Sequence, residues 1–187
     1  MQKLAILPPL LLCLISSLST ADGAASAAST AGVWEKHQYS FVSMGFTSTY
    51  SCEGLADILK QLLIAAGARA DAKANSGGCA QGFGRVEPLA RADLIFYTLS
   101  PDSSKAADSQ TLEGIWRPVT FAVRSPRQLM LGDCEVVEQF RAQVLPLFTT
   151  RNIVDHTTCV PHQDSGSVID LKFESFSAPL SAPSRPR

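Results

Sequence analysis

The sequence predicts an α+β domain with two helices packed on one face of a mainly antiparallel sheet, ferredoxin-like with extra strands and composed of two βαβ-like halves. Three observations lead there. Two stretches place apolar residues at helical spacing, several others alternate at strand spacing, and cysteines stand at matching places around both helices.

The chain begins with one cation, Lys3, followed by an apolar run from Leu4 to Leu18 and the small residues Ser19, Thr20 and Ala21. That order predicts a secretory signal over residues 1–21, cleaved after Ala21. Cys13 lies within it and goes with it. Residues 22–37 open with a string of Ala, Ser, Thr and Gly and are expected to form a flexible tether. A single domain is expected over 38–176, and the Pro- and Ser-rich 177–187 reads as a disordered tail.

Tyr39 to Phe46 is aromatic and β-branched, as a first strand requires. Leu55, Ile58, Leu59, Leu62, Leu63 and Ala66 then follow the i, i+3, i+4, i+7 pattern of a helix with one apolar face. Ser51 is its expected N-cap, Glu53 suits the positive end of its dipole, and Gly67 can close it. Arg69 to Asn75 is a weaker strand. Ala92 to Ser100, centred on Leu94-Ile95-Phe96-Tyr97, is a strong one, and Arg117 to Arg124 follows with Val119, Phe121 and Val123 alternating. Between these, Pro101 to Gly114 reads as a long polar loop, idle or a lid. Asp133 is the expected cap of a second helix that aligns Val136, Val137, Phe140, Val144 and Leu147, with Pro146 in its last turn. Arg151 to Thr157 and Ser167 to Phe176 complete the strands, the last with Ile169, Leu171 and Phe173 directed inward.

Loss of the leader removes Lys3 alone among the charges, leaving 15 cations against 17 anions and a net charge of −2. A near-neutral chain without a basic run gives no reason to expect nucleic acid or an anionic membrane as partner. No later segment is apolar for long enough to cross a bilayer as a helix.

Four cysteines remain after the leader: Cys52, Cys79, Cys134 and Cys159. In an exported chain an even number reads as disulfides. The two halves of the pattern also match. Each has a strand, a polar cap (Ser51 or Asp133), a Cys-Glu pair opening a helix, an arginine 17 residues after that cysteine (Arg69 or Arg151), a strand, and a second cysteine. In a βαβ unit the helix starts at the sheet edge where the second strand ends. This placement favours Cys52–Cys79 and Cys134–Cys159 among the three connectivities.

The candidate chemistry is thin. A helix N-terminus favours the thiolates of Cys52 and Cys134, yet no Cys-x-x-Cys spacing is present and structural disulfides are the better reading. His156 and His162 flank Cys159 and are the candidate metal ligands of a metal-handling or thiol-redox protein. His162, Asp164 and Ser165 lie too close together in one loop to wrap into a hydrolase triad, and no Gly-x-Ser-x-Gly elbow occurs. Gly77, Gly78, Gly82 and Gly84 lack the lysine and following helix of a phosphate loop. Trp34, Trp116 and Tyr50 read as core or sheet-face aromatics. No cofactor is expected.

The strings Tyr50-Ser51-Cys52-Glu53-Gly54-Leu55, Gly132-Asp133-Cys134-Glu135-Val136-Val137-Glu138-Gln139-Phe140-Arg141, Leu145-Pro146-Leu147-Phe148-Thr149-Thr150-Arg151-Asn152 and Cys159-Val160-Pro161-His162-Gln163 carry a resemblance. The chain resembles a family of short exported gammaproteobacterial proteins of unknown function, over roughly Tyr39 to Phe176. The resemblance implies export and the cysteine framework and lends no catalytic residue. The function expected is a non-enzymatic binding module of the periplasm or the outside of the cell, with a protein or small ligand as partner. Its expected surface is the edge between the helix N-termini and the Cys159 to Ser167 loop, with Arg151, His162, Gln163 and Ser165 as ligand-facing residues.

Overall fold

The computed structural model describes residues 29–45, 50–77, 89–107, 110–161 and 165–179. The signal, Phe46, Cys79, most of the glycine-rich stretch, His162, Gln163, Asp164 and residues 180–187 lie outside them. The described elements are β1 (Thr30–Val42), α1 (Cys52–Ala66), β2 (Lys73–Ser76), β3 (Arg91–Ser100), β4 (Thr111–Ala122), α2 (Cys134–Gln143), β5 (Thr150–Asp155) and β6 (Asp170–Ser177). They form an α+β fold whose six strands lie in the order β2-β3-β1-β4-β6-β5, every neighbouring pair antiparallel.

Helix α1 forms for the reasons its sequence suggests. The Ser51 hydroxyl accepts from Gly54 N at 3.1 Å, and Leu55, Leu59, Leu62, Leu63 and Ala66 are buried. Gly67 ends it with φ 105°, a left-handed conformation that suits glycine, while Ala68 N donates to Leu63 O at 3.0 Å. At α2 the expected cap differs. The Asp133 carboxylate makes no capping bond to α2; it accepts from Met130 N at 2.7 Å and from the Tyr50 hydroxyl, tying together the segments that lead into both helices. Pro146 sits in a separate 3-10 turn, Leu145–Leu147, because a proline cannot donate the i→i−4 bond that continues α2.

Both helices cover the same face of the sheet. Their apolar residues share one core with Phe41, Leu94, Phe96, Phe121, Leu171 and Phe173, which alternate inward along β1, β3, β4 and β6. Ile169, Leu171 and Phe173 point inward as the alternation of the last strand requires.

Strands β1 and β4 overlap only at their starts, where Thr30–Val33 pair with Gly114–Thr111. Each then pairs along its length with its other neighbour, β3 or β6. Because β3 lies between β1 and β2, the strands joined through α1 run parallel without touching; β6 separates β4 and β5 in the same way. The chain order therefore carries one more strand after each helix-linked pair than the β-α-β-β-α-β order of a ferredoxin-like fold.

Three expectations need correction. The tether expected over residues 22–37 ends earlier, because Thr30 to His37 belong to β1, with Val33 and Trp34 each 6% exposed. Small residues there answer a packing demand: a Cβ on Gly32 would lie 2.9 Å from both Leu99 and Phe176. The expected Pro101 to Gly114 loop is shorter, since β4 starts at Thr111 and Ser103–Lys105 form a 3-10 turn. It is anchored to β1 by Ala107 N donating to Trp34 O at 2.7 Å and by Lys105 pairing with Glu35 at 3.4 Å. The expected tail begins inside β6, whose last residue, Ser177, is buried.

Cys134 and Cys159 are disulfide-bonded, with Cα atoms 5.7 Å apart. Cys52 is also disulfide-bonded; its expected partner, Cys79, lies outside the described residues.

Candidate functional site

The sheet face away from the helices carries its own apolar cluster. Trp34 on β1, Leu99 on β3 and Phe176 on β6 are buried there, with Tyr97, Leu112, Trp116 and Ala178 packed against them. Neither described helix covers this side, and two arginines contribute cover. The Arg69 guanidinium lies 3.6 Å from the centre of the Tyr97 ring and 5.6 Å from that of Trp34. The Arg151 guanidinium lies 4.2 Å from the centre of Trp116.

Each arginine is held by a carboxylate. Arg69 Nε and Nη2 donate to the two oxygens of Asp71, both at 2.8 Å, and Arg151 Nε donates to Glu174. The hydrogen bonds from Arg69 hold the Asp71 carboxyl below its ordinary value, and Asp71 in turn raises Arg69. The resulting bidentate fork fixes the plane of the Arg69 guanidinium over Tyr97.

Beside Arg69 the sheet opens into a cleft of about 470 Å³, bounded by the end of α1, the start of β1 and the end of β6. Ile64, Ala65, Ala68, Trp34, Ala178 and Pro179 give it mostly apolar walls; Arg69 and Arg117 give it two cations, and no acidic side chain among the described residues lines it. Arg117 reaches under α1, where its Nη2 donates to Ala65 O at 3.1 Å and so satisfies one of the carbonyls the helix leaves open at its C-terminus. Its Nε is buried with no hydrogen-bond partner among the described residues, and so is the hydroxyl of Ser177, a residue 3% exposed. Gly67 makes room for this arrangement, since a Cβ there would stand 3.0 Å from Ser177 Cβ and 3.1 Å from Ser175 Oγ.

No protein-family model, curated protein or solved structure matches this chain significantly. Its chemistry must therefore be read from its own geometry.

Of the residues expected to face a ligand, the two that are described, Arg151 and Ser165, do not come together. Arg151 is at the far end of the β5–β6 pair, opposite Glu174, while the loop that holds Ser165 leaves near the Thr158–Val168 bridge. Seven residues of extended chain separate the two, roughly 20 Å. Ser165 is exposed, and His162 and Gln163 lie outside the described residues. Of the candidate metal ligands, His156 is exposed and its Nδ1 is 3.4 Å from Asp170, whose carboxyl is held low chiefly by the Lys172 hydrogen bond. Cys159 is tied to Cys134, which removes it as a thiolate ligand in this state. Among the described residues no group of three His, Cys, Asp or Glu side chains is placed to hold a metal ion. No helix among them is long and apolar enough to cross a membrane.

Sequence reasoning passed over Trp34, Arg69, Arg117 and Ser177 as a group. One signal pointed to part of it. Gly32-Val33-Trp34 recurs as Gly114-Ile115-Trp116, an offset of 82 that also relates Cys52 to Cys134 and Arg69 to Arg151. The pairing matches as well, although the partners are 77 residues apart: Trp34 is opposite Leu99 as Trp116 is opposite Phe176, and Val33 is opposite Ser100 as Ile115 is opposite Ser177.

Proposed function

We propose that the protein is an exported, disulfide-stabilised, non-enzymatic binding module of the cell envelope, and that it receives its ligand in the cleft between the end of α1, the start of β1 and the end of β6. The observation that carries this reading is the pair of cleft-floor donors, Arg117 Nε and Ser177 Oγ, that have no partner within the described fold. Buried donors of this kind cost about 1–3 kcal/mol each until an acceptor meets them. The cleft falls within the size range of small-molecule sites and has their composition, apolar walls with a few converging polar groups.

Export is part of the same proposal. It is supported by the leader-like residues 1–21 and by the Cys134–Cys159 disulfide, and cleavage after Ala21 leaves β1 whole. The 82-residue offset further supports reading the chain as two duplicated halves joined through β1 and β4, a scaffold in which paired positions are free to diverge. The competing metal or thiol-redox role at His156, Cys159 and His162 draws no support from the placement of His156 and Cys159.

Native mass spectrometry of the protein purified from its host envelope tests the proposal. The expected result is a chain starting at Asp22 that retains a small molecule, with the adduct lost in Trp34→Ala. A chain retaining its leader, or an adduct that survives Trp34→Ala, contradicts it.

A further inference from the structure

The cleft's chemistry narrows its ligand, an inference that rests on the binding reading above. We infer that it takes an amphiphilic anion: an oxyanion head received by Arg117 and Ser177, and an apolar body lying along Trp34, Ile64 and Pro179.

Among the described residues two guanidinium groups and no carboxylate line the cleft. Asp71 offsets the charge of Arg69, so Arg117 is the cation that leaves the cleft positive and favours an anion there. The two arginines are not equivalent. Arg69 is committed, its fork given to Asp71 and its face to Tyr97. Arg117 has given one hydrogen bond, to Ala65 O, and retains a buried Nε without a partner. Both atoms are covered in the unliganded fold, so an oxyanion must part the side chains over them, and it would then accept from that Nε and from the Ser177 hydroxyl. Charge-assisted hydrogen bonds of this type are about twice as strong as neutral ones.

The remaining walls set the other half of the ligand. Ile64, Ala65, Ala68, Ala178 and Pro179 offer no side-chain hydrogen-bonding group, so whatever extends from the head must be apolar. A bare inorganic anion would leave these walls wet, and a neutral lipid would leave the donors unmet. The carboxylate of a fatty acid and the phosphate of a lipid headgroup share the required chemistry.

Isothermal titration of the full chain lacking only its leader, with octanoate, octyl phosphate, 1-octanol and inorganic phosphate, tests the inference. One of the two octyl anions should bind at one per chain, with 1-octanol and inorganic phosphate each at least about tenfold weaker, as loss of a charged hydrogen bond implies. The tighter of the two anions names the head. Arg117→Gln should weaken the anion roughly tenfold and leave 1-octanol unchanged. Because that variant also removes a bond to α1, Ala70→Glu serves as a second: Ala70 is an exposed rim residue, and an added carboxylate should weaken the anion while the melting temperature holds. Equal affinity for 1-octanol and the anions overturns the inference but keeps a binding cleft. Absence of binding by any of the four at millimolar concentration overturns both.

Discussion

The two halves of the sheet share a plan and differ in what they do with it. Trp34 and Trp116 hold matching positions 82 residues apart, as do Arg69 and Arg151, and each arginine lies over an aromatic ring. The register then shows where they part. Opposite Lys36 stands Tyr97, whereas opposite the matching Pro118 stands Glu174. At this matched position Arg69 therefore meets the Tyr97 ring and takes its carboxylate from Asp71, whereas Arg151 meets the Glu174 carboxylate and takes its ring from Trp116. Arg117 corresponds to Glu35, whose charge is met by Lys105. Near-equal scaffolds thus carry a cation with a spare donor at one position and a neutralised anion at its counterpart. The lesson is that the cleft belongs to a divergence of side chains and not to the fold.

Substitutions at matched positions probe this difference between the halves. The largest effect is expected where the C-terminal half is stapled: Cys134→Ser with Cys159→Ser should cost about 2–5 kcal/mol in urea unfolding. An unfolding midpoint unchanged by the double substitution would show that this half does not depend on the staple. Next come the paired glycines at the junction. A Cβ at Gly114 would overlap the Phe176 ring and crowd Leu99 at 2.7 Å, while one at Gly32 would approach both at 2.9 Å. Gly114→Ala should therefore cost about 2 kcal/mol and Gly32→Ala about 1 kcal/mol. The reverse order in thermal melts would mean that the junction is less symmetric than its register.

Arginine truncation is a finer probe. Arg69→Ala removes a close stack and a bidentate ion pair and should cost about 1 kcal/mol; Arg151→Ala, whose side chain is half exposed, should cost less than half of that. Equal losses would erase the distinction between the two sites.

The smallest expected effect is a pH dependence confined to the first half. His37 stands where the second half has Val119. Its ring packs 5.2 Å from Phe96 and its Nε2 is 2.8 Å from Thr98 Oγ1, which itself donates to Leu147 O at 3.2 Å. Thr98 therefore accepts from His37, and Nε2 carries the proton of a neutral imidazole. Burial lowers the His37 pKa from its ordinary 6.5, with Glu35 opposing and Lys105 assisting. The unfolded chain thus binds a proton first as pH falls, so stability is lost from about pH 6.5 downward until the folded imidazole also titrates. His37→Val should flatten melting temperature between pH 7 and 5, and an unchanged slope would assign it to the carboxylates.

Much of the fold was legible in the sequence, because α1, β3 and β6 carry strong local signals: an N-cap and a closing glycine for α1, a dense apolar and aromatic centre for β3, and alternation of Leu171 and Phe173 with charged residues for β6. The start of β1 was not. Ala31 and Gly32 look like linker residues, and only their packing against Leu99 and Phe176, both distant in sequence, shows why small residues are needed. Asp133 looked like a cap and is used instead to join Met130 and Tyr50. The cleft was hidden for the same reason. Its residues come from α1, β1, β4 and β6, and the unpartnered state of Arg117 Nε and Ser177 Oγ is a property of assembled geometry that no local pattern records. What the sequence did hold, the recurring Gly-x-Trp, names the platform without the cleft beside it.

On the proposed function, ligand enters beside Trp34 and not beside its counterpart, Trp116. The chain has two tryptophans, so Trp116→Phe and Trp34→Phe each leave one reporter. Titrating the preferred octyl anion into both and reading tryptophan emission is the most direct test. The account predicts a saturable shift in Trp116→Phe, where Trp34 reports, and a flat response from Trp116 in the other variant. Equal shifts in both, or a shift from Trp116 alone, would contradict it.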